Sequence, residues 1–150
     1  MNSIRVSLIL AACLGVVGFL SIHAAENTPA PAGPEGVEWR LVALNGKAPA
    51  VVAGGRGAPT IQFDGGKKTA SGFSGVNRFF GGYEREGEKL KFGALAGTEM
   101  AGEPKAMETE RAFHSALESA TAWRIADGAL ELLKDGKVVA RFSAKPAVAK

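Results

Sequence analysis

Short apolar runs separated by glycine-containing turns are the feature that most limits the folds open to this chain. The sequence contains 20 glycines, and most of them lie between such runs. Asp127-Gly128 and Asp135-Gly136 are the clearest cases, because Asp-Gly between apolar runs is typical of a tight β-hairpin turn. Asn45-Gly46 ends the first run in the same way. The pattern therefore predicts many short strands, with a three-stranded meander in the C-terminal third.

Eight runs have strand character, and one segment has the spacing of a helix. The strands are predicted at residues 37–44, 60–63, 69–73, 81–85, 89–92, 122–125, 130–133 and 138–142. The helix is predicted at residues 104–120, with Pro104 in its first turn and an apolar side formed by Met107, Phe113, Ala116, Leu117 and Ala120. A curved, mostly antiparallel sheet around this helix would bury both apolar faces, so we expect an α+β fold.

The N-terminal segment has the order of an export signal. A basic start that ends at Arg5 precedes 17 uncharged residues at 6–22, and small residues follow at Ala24 and Ala25. The apolar run is slightly shorter than the roughly 20 residues of a membrane-spanning helix. Three fates stay open: cleavage near Ala25, acylation of Cys13 as in a lipoprotein, or retention as an anchor. In each case we expect the protein to work in the periplasm or cell envelope.

Composition divides the chain into four segments. Residues 1–25 are predicted to form the signal or anchor, and the Pro/Gly-rich residues 26–36 are predicted to be an extended linker. The domain is predicted at residues 37–143, and residues 144–150 are predicted to be a flexible tail. Within the domain, residues 47–59 read as a mobile loop.

Charge and cysteine content exclude several classes of function. The formal net charge is only +3, and basic and acidic residues are interspersed, so the sequence has no basic stripe for nucleic acid. The single cysteine, Cys13, lies in the N-terminal segment. A domain without it has no disulfide, no thiol nucleophile and no thiolate metal site.

Catalytic groups are scarce. Beyond the signal, His114 is the only histidine, and a hydrolase would have to combine it with Ser74. The stretch Gly72-Phe73-Ser74-Gly75 lacks the last glycine of a nucleophile elbow, because Val76 stands there. The aspartates precede glycines as turn residues and lack the spacing of a calcium loop. We therefore expect neither an enzyme nor a metal or other cofactor.

The domain resembles the META domain family, also called HslJ-like, over about residues 37–142. The motifs that carry the resemblance are Ser71-Gly72-Phe73-Ser74-Gly75-Val76-Asn77-Arg78-Phe79, Gly82-Tyr83, Leu90-Lys91-Phe92-Gly93 and Thr98-Glu99-Met100-Ala101. The resemblance implies an α+β pseudobarrel of about seven or eight strands, exported or lipid-anchored, associated with heat or envelope stress and without an agreed catalytic activity. Two positions depart from the family: Val76 and Gly102 stand where members usually carry cysteines. If the family pair forms a disulfide, both of its halves are absent here.

Asn77, Arg78, Phe79 and Tyr83 are the candidate binding residues, because they lie in the densest motif and are polar or aromatic. The competing interpretation is structural, with Asn77 holding the loop and Arg78 packing over Phe79 or Tyr83. Phe79 and Phe80 are adjacent, so one should point into a sheet and the other outward. An exposed aromatic beside Arg78 would suit protein binding.

Three functions follow from these observations. The first is a non-enzymatic binding or stress-protective module that acts on envelope protein partners or unfolded chains. We expect it to be a monomer that meets the membrane only through its N-terminal segment. The second is a small-molecule or lipid carrier that uses the barrel interior. The third, and least favoured, is a hydrolase that uses Ser74 and His114. An exposed apolar patch at Phe79 and Phe80 would favour the first, and an internal cavity the second.

Overall fold

A computed structural model of the protein describes residues 32–49 and 57–145. The predicted signal at 1–25 with Cys13, most of the predicted linker, the centre of the 47–59 loop and residues 146–150 lie outside the described residues. Eight strands and one helix follow one another within these described residues. They are β1 (Glu38–Leu44), β2 (Thr60–Asp64), β3 (Thr69–Phe73), β4 (Arg78–Glu86), β5 (Lys89–Gly97), α1 (Pro104–Ser119), β6 (Ala122–Ala126), β7 (Ala129–Lys134) and β8 (Lys137–Ala144).

The strands form a closed antiparallel barrel in which each strand pairs with the next and β8 returns to β1. The predicted α+β pseudobarrel is thus confirmed. Pairing is weakest between β5 and β6, where only Lys89 and Ala122 stand opposite each other. The helix connects these two strands and packs against β5, β7, β8 and β1. The barrel therefore encloses its core by combining a nearly complete sheet with one helix.

The strands β4 and β5 exceed their predicted lengths the most. β4 begins at Arg78 instead of residue 81, and β5 continues to Gly97 instead of ending at residue 92. The extra residues pair with each other, since Phe79 stands opposite Gly97 and Phe80 opposite Ala96. The β5 extension, residues 93–97, is rich in glycine and alanine and has little strand propensity by itself, so pairing with β4, not local preference, produces it.

The hairpin turns follow the predicted chemistry. Asp127 and Asp135 adopt positive φ angles of 52° and 50°, and the glycine after each is also positive, at 71° and 76°. Two successive positive φ angles define the type I′ turn, whose twist matches that of the paired strands. These turns set the registers β6–β7 and β7–β8 of the predicted C-terminal meander.

Large aromatic side chains fill the barrel interior. Trp39, Phe63, Phe79, Phe113 and Phe142 are each at most 2% exposed. Phe113 of the helix packs edge-on against Phe79 and Phe142, with ring centroids 5.6 and 6.1 Å apart. The helix is therefore attached to opposite walls of the barrel by aromatic contacts, which each add about 1 kcal/mol beyond area burial.

The domain begins before the predicted boundary at residue 37. Pro34 is buried, and its carbonyl oxygen accepts a 2.7 Å hydrogen bond from Nε1 of Trp39. Glu35 forms an isolated parallel bridge with Phe63. Residues 34–36, predicted to be linker, are therefore part of the folded unit, because the buried indole nitrogen needs an acceptor and Pro34 supplies it. At the other end, Ala144 lies in β8 instead of the predicted tail.

Gly72 allows the close approach of β2 and β3. It stands opposite Ile61, and a Cβ atom at this position would collide with the backbone carbonyl of Thr60 and lie 3.0 Å from the Cα of Ile61. Backbone atoms in the centre of a sheet cannot move away without disturbing the hydrogen bonds between the strands. The absence of a side chain is therefore a packing requirement here.

We expect Gly72→Ala to lower the free energy of unfolding by about 2 kcal/mol or more, as overpacked positions do. The matched control is Gly82→Ala, because a Cβ there would meet only the carbonyl oxygen of Lys68, at 3.9 Å. The control should stay within about 0.5 kcal/mol of the wild type. Urea unfolding followed by tryptophan fluorescence measures both, and equal effects of the two substitutions would contradict the packing explanation.

Candidate functional site

The loop between β3 and β4 contains the densest sequence motif, and hydrogen bonds between its own buried residues stabilise it. Ser74 and Asn77 are 0% and 4% exposed. The backbone N–H of Ser74 donates to the carbonyl oxygen of Asn77 at 2.8 Å, and the Ser74 hydroxyl lies 2.9 Å from the same oxygen. Gly75 between them has a φ of 118°, which glycine adopts without strain. The motif thus closes into a tight loop at one end of the barrel.

A buried carboxylate on the helix binds this loop. Oε2 of Glu110 accepts hydrogen bonds from the Ser74 hydroxyl at 2.8 Å, the N–H of Asn77 at 2.8 Å and the N–H of Val76 at 3.3 Å. Oε1 accepts from Nδ2 of Asn77 at 2.8 Å. We call Ser74, Val76, Asn77 and Glu110 the Glu110 cluster. Both carboxylate oxygens of Glu110 therefore accept hydrogen bonds, and these bonds offset the free-energy cost of burying its negative charge.

Asn77 extends the cluster to the segment after β5. Its Oδ1 accepts from the Thr98 hydroxyl at 2.8 Å and from the N–H of Met100 at 2.7 Å, and its Nδ2 also donates to the carbonyl oxygen of Met100 at 3.1 Å. One asparagine therefore joins three parts of the chain: the loop, the helix and the β5–α1 connection. This arrangement agrees with the structural interpretation of Asn77.

The hydrogen bonds hold Glu110 in its ionised form. Burial alone would raise its pKa, but the donors from Asn77, Ser74 and Val76 outweigh burial, so the pKa of Glu110 lies below its ordinary value of 4.5. Sequence analysis missed Glu110, because a glutamate in a helix usually faces solvent. The signal that could have revealed it is its position three residues before Phe113, on the apolar side of the helix.

The four predicted binding residues are divided between the core and the surface. Asn77, Phe79 and Tyr83 are buried at 4% exposure or less, and only Arg78 is exposed. The strand β4 alternates, so Phe79 points inward, while Arg78 and Phe80 point outward. Asn77, Phe79 and Tyr83 therefore cannot themselves touch a partner in this conformation, and the proposed contact surface must be redrawn around Arg78 and Phe80.

Tyr83 belongs to a cluster that attaches the start of the domain. Its hydroxyl donates to Oε1 of Glu35 at 3.1 Å, and the same oxygen lies 2.9 Å from Nε of Arg85. The guanidinium of Arg85 also lies 5.1 Å from the ring centre of Trp123. Burial, followed by the nearby Glu35 carboxylate, raises the pKa of Tyr83 to about 12.

Val76 and Gly102, where the resemblance implies cysteines, lie against each other. A Cβ atom on Gly102 would be 3.3 Å from the Cβ of Val76 and 2.6 Å from its Cγ2. Disulfides join Cβ atoms that are about 3.5–4.5 Å apart. The two positions are thus separated by slightly less than disulfide-bonded residues are, and in this chain the Val76 side chain occupies the space that Gly102 leaves free.

An outer groove crosses the face formed by β1 to β4. It has a volume of about 670 Å³, and its lining includes Arg40, Gln62, Ser71, Phe73, Arg78 and Phe80. Phe80 is 63% exposed, more than the other exposed large hydrophobic side chains of the described residues, Met100 at 43% and Val42 at 40%. Phe73 is half-buried. The groove thus places aromatic surface beside two arginines, and the sequence had indicated only Arg78 and one of the two adjacent phenylalanines.

The Ser74 and His114 side chains have separate environments. Ser74 is fully buried within the Glu110 cluster. His114 is half-buried and its ring packs edge-on against Phe79 and Phe113, at 5.5 and 6.1 Å. Among residues 32–49 and 57–145, no three His, Cys, Asp or Glu side chains are grouped to hold a metal ion. In the same part of the chain, none of the helical segments combines the length and apolar character needed to cross a bilayer.

Comparisons with known proteins identify relatives but no activity. The family model described as the META domain matches residues 34–146. A protein from Burkholderia xenovorans, solved by NMR, is similar in structure with a TM-score of 0.60 and 26% identity, over 98% of this chain and 100% of that one. A second NMR structure of a protein has a TM-score of 0.54 and 23% identity, over 71% of this chain and 87% of its own, and shows the fold alone. No curated protein matches the sequence.

We expect Glu110→Gln to destabilise the domain by about 2 kcal/mol near neutral pH, because the added NH₂ group must face an existing donor. Since the folded pKa of Glu110 is lowered, its ionised form stabilises the domain fully above pH 4.5, and this contribution is lost as the pH falls through the lower folded pKa. The difference between wild type and variant should therefore shrink in acid. The exposed Glu108→Gln is the matched control. Urea unfolding at several pH values measures this, and a pH-independent difference would contradict it.

We expect the phenol of Tyr83 to ionise with a pKa of about 12 in the folded protein. Because the neutral form is favoured, its contribution to stability is complete below the ordinary value of 10 and is lost as the pH rises towards 12. Tyr83 is the only tyrosine, so tyrosinate absorbance reports it directly. Glu35→Gln should lower the midpoint towards 10. An unchanged midpoint in this variant would show that Glu35 has no influence on the phenol.

Proposed function

The chain belongs to the META domain family, and we propose that it is an exported, non-enzymatic binding module of the cell envelope that acts on protein partners or unfolded chains. The observation that carries the proposal is the exposed aromatic side chain of Phe80 beside Arg78 on the outer face of β4. Aromatic residues and arginine are both enriched in protein interfaces, and the residues that contribute most to binding lie near the interface centre.

Export rests on the N-terminal segment. Its basic start, its apolar residues 6–22 and the small residues at Ala24 and Ala25 support transport out of the cytoplasm. A stress-protective role is what the resemblance implies for the family. It fits a domain whose surface exposes apolar area to other chains, because unfolded chains bind through their own exposed apolar residues.

The environment of Ser74 supports a function without catalysis. A nucleophilic hydroxyl must be able to reach a substrate. The hydroxyl of Ser74 is buried, donates to the carboxylate of Glu110 and lies 2.9 Å from the carbonyl oxygen of Asn77. Through these contacts Ser74 stabilises the loop, and its hydroxyl has no contact with solvent.

The filled interior favours surface binding over the alternative of a small-molecule or lipid carrier. Trp39, Phe63, Phe79, Phe113 and Phe142 occupy the space that a carrier would offer to its ligand. A ligand in that space would have to displace side chains that pack at close to crystal density. The outer groove, in contrast, is open to solvent and needs no rearrangement of the core.

The proposal is tested by photo-crosslinking in intact cells. A photoreactive phenylalanine derivative at position 80 changes the exposed ring little, and the control carries the same group at Lys134, an exposed position at the end of β7. We expect defined adducts with one or a few proteins from position 80 and not from position 134. Identical adducts from both positions would contradict binding through the outer groove.

A further inference from the structure

We propose that the outer groove binds an extended acidic peptide segment that carries two carboxylates about four residues apart and an apolar side chain between them. This inference rests on the proposed function and names the chemistry of the partner. It depends on three observations: the spacing of two arginines across the sheet, the charge of the groove, and the aromatic surface between and beside those arginines.

The two arginines stand on one line across the sheet. Arg40 in β1 is opposite Thr60 in β2, Thr60 is opposite Phe73 in β3, and Phe73 is opposite Arg78 in β4. Neighbouring strands are separated by about 4.8 Å, so three steps place the two arginine backbones about 14 Å apart. Arg40 and Arg78 therefore flank the groove from opposite sides, with Phe73 on the line between them.

The charge of the groove selects an anionic partner. Neither Arg40 nor Arg78 forms an ion pair with another of the described residues. The carboxylate among the lining residues, Glu38, is paired with Nζ of Lys145 at 3.0 and 3.1 Å. The lining thus has a net charge of two positive units, and the ion pair with Lys145 offsets the charge of Glu38, which would otherwise repel a carboxylate.

The spacing and the aromatic surface favour a peptide over other anions. An extended peptide advances about 3.4 Å per residue and points alternate side chains to one side, so 14 Å corresponds to about four residues. Carboxylates at i and i+4 can then meet the two arginines, and the side chain at i+2 lies over Phe73 and near the exposed ring of Phe80. A nucleic acid or other polyanion would instead need a continuous basic stripe, and here the two arginines without an ion-pair partner among the described residues are separated by aromatic, amide and hydroxyl groups.

The test uses synthetic fluorescent peptides and anisotropy at low salt. The probe has two glutamates about four residues apart with a leucine midway, in a Gly/Ser background. One matched peptide replaces both glutamates by glutamines, and another places the two glutamates side by side. We expect the wild-type protein to prefer the spaced acidic probe over both, and we expect added salt to weaken the binding.

Protein variants locate the site. Arg40→Ala and Arg78→Ala should each weaken probe binding by roughly three- to fivefold, the size of an exposed ion pair. Phe80→Ala should weaken it on the order of tenfold, as a central aromatic does. The controls are Arg111→Ala, which removes an exposed arginine of the helix, and Val42→Ala, which trims an exposed apolar side chain outside the groove. Both controls should bind like the wild type.

Three results would overturn the inference. The glutamine peptide could bind as tightly as the acidic probe, Arg111→Ala could weaken binding as much as Arg78→Ala, or a single-stranded oligonucleotide could bind more tightly than the probe. If crosslinks from position 80 persist in such a case, only the acidic partner class fails. If those crosslinks are also absent, the proposed function fails with it.

Discussion

A single buried carboxylate organises the end of the barrel on which the signature motif lies. Glu110 accepts hydrogen bonds from the Ser74 hydroxyl, from the Val76 and Asn77 amides and from the Asn77 side chain, and Asn77 passes the connection on to Thr98 and Met100. An ionised group in a poorly hydrated place is stable only when its donors are fixed. The loop, the helix and the segment after β5 therefore have to assemble together.

This arrangement determines what the exposed part of the motif can do. Because Asn77 is held in the cluster, β4 starts at the next residue with Arg78 outward, Phe79 inward and Phe80 outward. The inward ring packs against Phe113 of the helix, and the outward ring enters the outer groove. The same motif thus serves stability on one face and, under the proposed function, partner binding on the other.

The candidate site could be predicted only in part. The sequence pointed to β4, to Arg78 and to one exposed phenylalanine of the adjacent pair, all of which line the outer groove. It also grouped the buried residues Asn77, Phe79 and Tyr83 with them, because polarity and position in a motif do not report burial. Glu110, Glu35 and Arg40 were missed. Each contacts or neighbours motif residues from a distant part of the chain, and long-range pairing leaves no local pattern in the sequence.

The sequence by itself determined the element types and most of the turns. Alternating apolar residues, Asp-Gly turns and the helical spacing at 104–120 act over a few residues, so they can be recognised without knowledge of the fold. Tertiary structure decided the rest: the extensions of β4 and β5, the attachment of Pro34 and Glu35, the role of Glu110 and the line from Arg40 to Arg78. These features depend on which strands become neighbours, and that choice follows from burying the whole core at once.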